Sequence, residues 1–470
     1  MKKNIKHFVA AGLILLALQA CITLPPQAPP EDPGAMGDAV ATAVAQTLEA
    51  GGVPGEGPPA DVPGGGDPPG GPPDDVPPGD PPGDPPADPP GGPPAVLRIA
   101  YLDDGDVWLW TEGAGAAEIY DGAFGANDVR ISDDGMVVAF QLFDGYTFVG
   151  LWAVNSDGTN ARSLVDAATV TSMGTNPGAV GTEPYSWEFI PGSHTVAFNT
   201  RQFYEGPGLD IQEDLHLVDA DSAVLTTLLA AETAGEFYYS PDGSQIALVT
   251  PTTISLINAD GSNRRDDVLV YNSLITYSEY QWYAKPRWAA DGNSLRVAIP
   301  TADILDPAAT VAVFDIPTDG SPATSMGFTA AEPLAFMHQN VVSPDLQKLA
   351  FLRRAGVPTD NIWEIHFADL STFALSYFHT GGVRFEVWSP DSVRFVFEEG
   401  GHLYVGQMGV TPVMLPDTDR GTDPTWVDVD RVLYLSGSIG NWELRLQTVG
   451  GALTVIALTT GDFVPYDFAY

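Results

Sequence analysis

The chain has 470 residues with a formal net charge of −41, 50 glycines, 42 prolines and one cysteine. A chain that acidic repels nucleic acid and anionic lipid headgroups, so neither is expected as a direct partner of its folded part. One cysteine excludes any intrachain disulfide, and the fold must hold by packing alone.

Lys2, Lys3 and Lys6 precede an apolar run from Phe8 to Leu18, then Leu18-Gln19-Ala20-Cys21. The run is too short to span a bilayer as a mature helix and reads as an export signal over residues 1–20. Its end resembles the lipobox of bacterial lipoproteins. That resemblance implies cleavage before Cys21, acylation of its thiol, and contact with a bilayer through that residue only, on the periplasmic or cell-surface side. An ordinary signal peptide with a chance cysteine is the alternative.

Residues 22–95 contain 23 prolines, 15 glycines and twelve acids, with no Lys or Arg. Such a stretch cannot bury apolar surface and repels itself, so 21–95 is expected to be a disordered, extended tether. Within it, Val40, Val44 and Leu48 stand four apart and suggest a short helix over 35–50.

From residue 96 onward one pattern recurs. Tyr239-Ser240-Pro241-Asp242-Gly243 precedes the apolar run Ile246-Ala247-Leu248. Pro241 presets φ for a turn and Gly243 supplies the left-handed residue that completes it, so a hairpin is predicted. Variants follow Ile131, Trp187, Trp288, Val342, Trp388 and Trp426, each before another strand-like run. A second strand, often aromatic, comes next: Leu151-Trp152-Ala153-Val154, Ile362-Trp363-Glu364-Ile365, Trp442-Glu443-Leu444. Tight turns such as Asn155 to Gly158 and Asn258 to Gly261 then lead to a short fourth strand. Four antiparallel strands repeated at this period are the pattern of an all-β closed propeller over 96–470. The Ser-Pro-Asp-Gly units resemble the WD40-like repeats of TolB and of prolyl-oligopeptidase-type propellers. That resemblance implies a propeller fold without assigning a function.

Seven first strands lie inside the chain. The domain opens, however, on Arg98-Ile99-Ala100-Tyr101, which matches a second strand, and Asp106 to Trp110, which matches a third. The missing innermost strand is expected from Phe463 to Tyr470, which gives eight blades, with seven as the alternative.

Chemistry-bearing motifs are sparse. The Asn155–Asn160 and Asn258–Asn263 strings lack the acids of a calcium loop and read as turns. The six histidines of the domain are scattered, with no pair at metal-ligand spacing. No nucleophile elbow, phosphate loop or dinucleotide fingerprint is present, so no catalytic residue, metal or cofactor is expected. Nine of the ten tryptophans occupy repeat positions and read as packing between blades; Trp282 does not.

The long irregular segments are second-to-third-strand loops and connections between blades, which share one rim of a propeller. They carry Arg201, Tyr204, Tyr280, Trp282, Tyr283, Arg353 and Arg354, aromatics beside cations in an acidic domain, and these are the candidate ligand-binding residues. The leading expectation is a monomeric, membrane-anchored, non-catalytic module of the cell envelope that binds a protein or peptide. A glycan or small-molecule receptor and an enzyme centred on the channel are the alternatives.

Overall fold

The computed structural model describes residues 96–470 apart from 206–208, 278–279, 303–309, 330–340 and 358–360. Cys21, the tether and the 35–50 segment lie outside the described residues. The domain is an eight-bladed β-propeller of four-stranded antiparallel sheets.

Blade 1 consists of strands Tyr466–Ala469, Arg98–Asp103, Asp106–Thr111 and Gly115–Tyr120, from the axis outward. The innermost strands of blades 2 to 8 are Gly125–Ile131, Gly181–Phe189, Glu236–Tyr239, Arg287–Trp288, Val341–Val342, Val383–Trp388 and Arg420–Trp426. The ring closes as expected. Arg98 stands opposite Ala469, and Tyr101 opposite Tyr466, in an antiparallel ladder that joins the chain's last strand to its first. The Asp467 carboxylate accepts a hydrogen bond from the Ile131 amide of blade 2 at 2.9 Å.

The repeated turn works through its serine as well as its proline and glycine. Ser132, Ser240, Ser343 and Ser389 are fully buried. In each, the hydroxyl accepts from the backbone amide five residues on, at 2.9–3.0 Å, and donates to the turn aspartate. A buried hydroxyl with both capacities used stabilises the turn instead of costing desolvation. Gly243 has φ +70, and a Cβ there would meet the Pro191 carbonyl oxygen at 2.8 Å, so the glycine is required twice over. The Asn155 and Asn258 strings are hairpin turns: Gly158 and Gly261 donate back to the Asn155 and Asn258 carbonyls at 2.9 Å.

The core is not central. It divides into eight apolar clusters, one at each interface between neighbouring blades. The repeat tryptophans tie these interfaces together near the axis. Trp187, Trp288 and Trp388 reach back to the innermost strand of the preceding blade, donating to the Asp128 carboxylate, the Tyr238 carbonyl and the Val341 carbonyl at 2.9–3.0 Å.

Two features had no signal in the periodicity. After blade 2 the helix α1 (Ala167–Met173) forms, capped by Asp166, whose carboxylate accepts from the Thr169 amide at 2.7 Å. At seven residues it is too short to show an amphipathic repeat. Blade 3 also carries an extra strand, Leu209–Ile211, on its second-to-third loop.

Candidate functional site

The innermost strand of each blade presents its edge to the axis, and along the strands of blades 2 to 4 buried apolar residues alternate with less buried ones. In blades 2, 3 and 4 the less buried, alternate positions are polar: Asp128 and Arg130, Ser186 and Glu188, Glu236 and Tyr238. With Tyr185, Trp187 and Phe237 they line a pocket of about 310 Å³.

A β-bulge shapes its wall. The register of blade 3 shifts between Pro184 and Trp187, inserting one residue where proline has no ladder amide to give. The amide freed at Ser186 donates to the side-chain oxygen of buried Asn199 at 2.8 Å. The bulge turns Tyr185 into the pocket lining.

The three carboxylates of the pocket have different surroundings. Asp128 accepts from the Val129 amide at 2.9 Å, the Arg130 guanidinium at 2.7 Å and the Trp187 indole at 2.9 Å. Its charge and that of Arg130 therefore cancel locally, and Arg130 lies over the Trp187 ring at 5.1 Å. Glu236 accepts one hydrogen bond, from the Tyr238 hydroxyl at 2.9 Å. Glu188 is half-buried and accepts none among the described residues. Burial pushes its carboxyl up to about 7, opposed by Arg130 and reinforced by Asp467. Burial also raises Glu236, against the Tyr238 hydroxyl and Lys285. Tyr238 is held neutral, as a donor, by burial and by the neighbouring Glu236.

The predicted binding residues divide. On the second strand of blade 3, Arg201 donates from two guanidinium nitrogens to one oxygen of Glu183, Oε1, at 2.8 and 2.5 Å, and its guanidinium stacks 5.2 Å from the Tyr185 ring. Tyr283 donates to Glu213 at 3.2 Å, and its phenol is raised by burial, then by Glu213, with Glu236 and Tyr185 contributing. Arg201 therefore lies against one wall residue of the pocket, Tyr185, while Tyr283 packs on the cluster between blades 4 and 5. Trp282 is not a free loop aromatic: it is half-buried, edge-on to Tyr271 at 6.2 Å, and packs on the clusters between blades 4 and 5 and blades 5 and 6. Tyr204 donates to Asp210 at 3.0 Å on the second-to-third loop of blade 3. Arg353 and Arg354 belong to blade 6, where Arg354 lies 4.6 Å over the Trp363 ring, away from blades 2 to 4. The Tyr280 side chain lies outside the described residues.

Sequence reasoning missed Arg130, Tyr185, Glu188, Glu236 and Tyr238. A signal existed. Asp128 and Arg130, Glu236 and Tyr238, Lys285 and Arg287, and Arg384 and Glu386 are polar pairs two apart, with apolar or small residues on the alternate positions. That pairing falls on or beside the innermost strands of blades 2, 4, 5 and 7. Among the described residues no group of three or more His, Cys, Asp or Glu side chains is arranged to hold a metal ion.

No protein-family model matches the chain, and no curated protein matches it. Solved structures with a similar fold include a eukaryotic initiation factor, 12% identical over 79% of this chain and 98% of that one, with a TM-score of 0.48. Dipeptidyl peptidase 4 of Porphyromonas gingivalis is 13% identical over 73% of this chain and 54% of its own, with a TM-score of 0.45. TolB from Acinetobacter baumannii is 12% identical over 79% and 66%, with a TM-score of 0.35. Fold and site together define a β-propeller with a polar, aromatic-walled pocket on its axis.

Proposed function

We propose that the chain is an exported, lipid-anchored propeller that binds a protein or peptide without transforming it, using the rim that carries the second-to-third and inter-blade loops. The observation that carries this reading is that this rim and the axial pocket meet. Arg201, on the second strand of blade 3 next to its second-to-third loop, stacks on Tyr185 of the pocket wall, and the charge of Glu236 acts on the loop residue Tyr283, so the loop side adjoins a concave site walled by three strands. The opposite rim consists of stereotyped turns whose hydrogen-bonding groups are occupied within the turn.

The reading includes anchoring through acylated Cys21, which the tether from 22 to 95 would carry clear of the bilayer. One capture experiment addresses both parts. Partners are recovered from the native envelope with the wild-type chain, with Cys21→Ser, with Tyr283→Ala plus Arg353→Ala, and with Asn160→Ser plus Asn263→Ser in the tight turns. Trp282 stays in place because it packs on two inter-blade clusters; Tyr283 packs on one of them, so its variant is compared only where its melting temperature matches wild type. The expected result is that Cys21→Ser leaves the membrane fraction and that the Tyr283 and Arg353 changes weaken capture at least tenfold. Retention of capture in that variant, with loss in the tight-turn variant, would put the partner on the other rim.

A further inference from the structure

We propose that the axial pocket of blades 2 to 4 takes an organic cation, the protonated amine or guanidinium of a lysine or arginine side chain, on the carboxylates of Glu188 and Glu236. The inference deepens the function proposed above by naming the group a partner inserts. It rests on that reading for the partner alone, because the pocket can be probed without one.

The pocket's own chemistry selects the ligand. At about 310 Å³ it stands at the lower end of small-ligand sites, large enough for one side chain and too small for a folded element. Its wall holds one cation, Arg130, already neutralised by Asp128 at 2.7 Å. Glu188 and Glu236 then leave the lining with more carboxylates than cations; outside the lining, exposed Lys285 also acts on Glu236. Glu188 lines the cavity with no hydrogen-bond donor among the described residues, so it presents an acceptor that no described residue satisfies. The aromatic wall agrees. Tyr185 already accepts one guanidinium, that of Arg201, on a ring face at 5.2 Å, and Tyr238 offers a second phenol ring. An anionic ligand would meet two carboxylates, and a purely apolar one would strand them.

Binding of a cation is coupled to proton release. The groups that face Glu188 are Arg130 and Asp128 from blade 2, Asp467 from blade 1, and Glu236, Tyr238 and Tyr239 from blade 4. Of these only Arg130 favours the ionised form by its charge, and Asp128 already engages it. Burial therefore wins, and Glu188 is largely protonated below pH 7. A bound cation must ionise it. Affinity should thus fall about tenfold for each pH unit below 7 and level off above 8, while an arginine probe stays charged throughout.

The test uses the full-length protein in detergent and two capped tripeptides, acetyl-Gly-Arg-Gly-amide and acetyl-Gly-norleucine-Gly-amide, followed by saturation-transfer NMR and calorimetry from pH 5 to 8. The expected result is binding of the arginine peptide only, with that pH profile, and loss of binding in Glu188→Gln plus Glu236→Gln. Glu386→Gln, on the innermost strand of blade 7, serves as a folded control that keeps it. Failure of the arginine peptide to bind, equal binding of the norleucine peptide, a flat pH profile, or full binding in the double variant would overturn the inference. Tighter binding of Ca²⁺ than of the peptide at Glu188 would overturn it in favour of a metal. Loss of the pocket result with capture on the loop rim intact would leave the broader function standing.

Discussion

Glu188 is held in the folded chain at a cost. A carboxyl lifted from its usual value of 4.5 to about 7 by burial binds more protons folded than unfolded. Stability therefore declines as pH rises from 4.5 through 7, and the penalty is complete above 7. The shift corresponds to up to about 3 kcal/mol at pH 8, an order-of-magnitude figure. Glu188→Gln removes that penalty, so denaturant unfolding should find the variant more stable than wild type at pH 8 and unchanged at pH 4. Equal stability at both would mean that the site does not desolvate Glu188. His194 is raised too, so it gives the same direction with pH, but here the charged form is the stabilised one. Burial lowers it, but hydrogen bonds and charge from Asp221 at 2.9 Å and Asp134 at 3.1 Å prevail and raise it, pinning blade 2 to blade 3. Its contribution is full below pH 6.5 and is lost as pH climbs through the raised value. With both acids more than half exposed it is worth at most about 1 kcal/mol.

At the level of elements, the strand Tyr466–Ala469 has the largest structural leverage for its length. It pairs with Arg98 to Tyr101, and Asp467 reaches the blade 2 backbone. Tyr466 donates to the Asp423 carbonyl in blade 8, so four residues touch three blades. Deleting 464–470 exposes the inner edge of blade 1 along with Leu97, Ile99 and Tyr101, all nearly inaccessible in the closed ring. The deletion should lower stability by several kcal/mol, read as a fall in the urea midpoint. An unchanged midpoint would show that the ring does not depend on this closure. The closure was legible because the domain opened on a strand that matched a second position, which left one strand unpaired. The hairpins were legible for a similar reason: Pro241 and Gly243 constrain φ whatever surrounds them. The serine's role was not, since it depends on an amide five residues away that only the formed turn presents. Nor was α1, which is set by one cap and a single turn of chain.

Across the whole molecule, the placement of the core explains why the pocket was hard to read in advance. Each blade buries its two faces against its neighbours, in eight separate clusters, and leaves the innermost edge free to carry polar groups. A site on the axis draws its residues from several blades: Arg130, Glu188 and Glu236 are about 50 positions apart along the chain, and no local motif joins them. The loop candidates were found from loop length, topology and residue type, and none of these tells a committed side chain from an available one. Arg201 is already paired with Glu183, Trp282 is packed between blades, and Tyr283 packs on the cluster between blades 4 and 5 while donating to Glu213. The domain's 17 basic and 49 acidic residues from 96 to 470 favour a basic partner by long-range attraction, which salt would weaken.

The measurement that tests this account most directly is zero-length carboxylate-to-amine cross-linking of the intact chain in its native envelope, with the joined peptides read by mass spectrometry. The account predicts that partner lysines become linked to carboxylates at the loop rim and pocket mouth, Glu213, Asp210 and Glu236 among them, and that the links weaken with added salt. Links concentrated on the tight-turn acids Asp157, Asp242, Asp260 and Asp391 would contradict it.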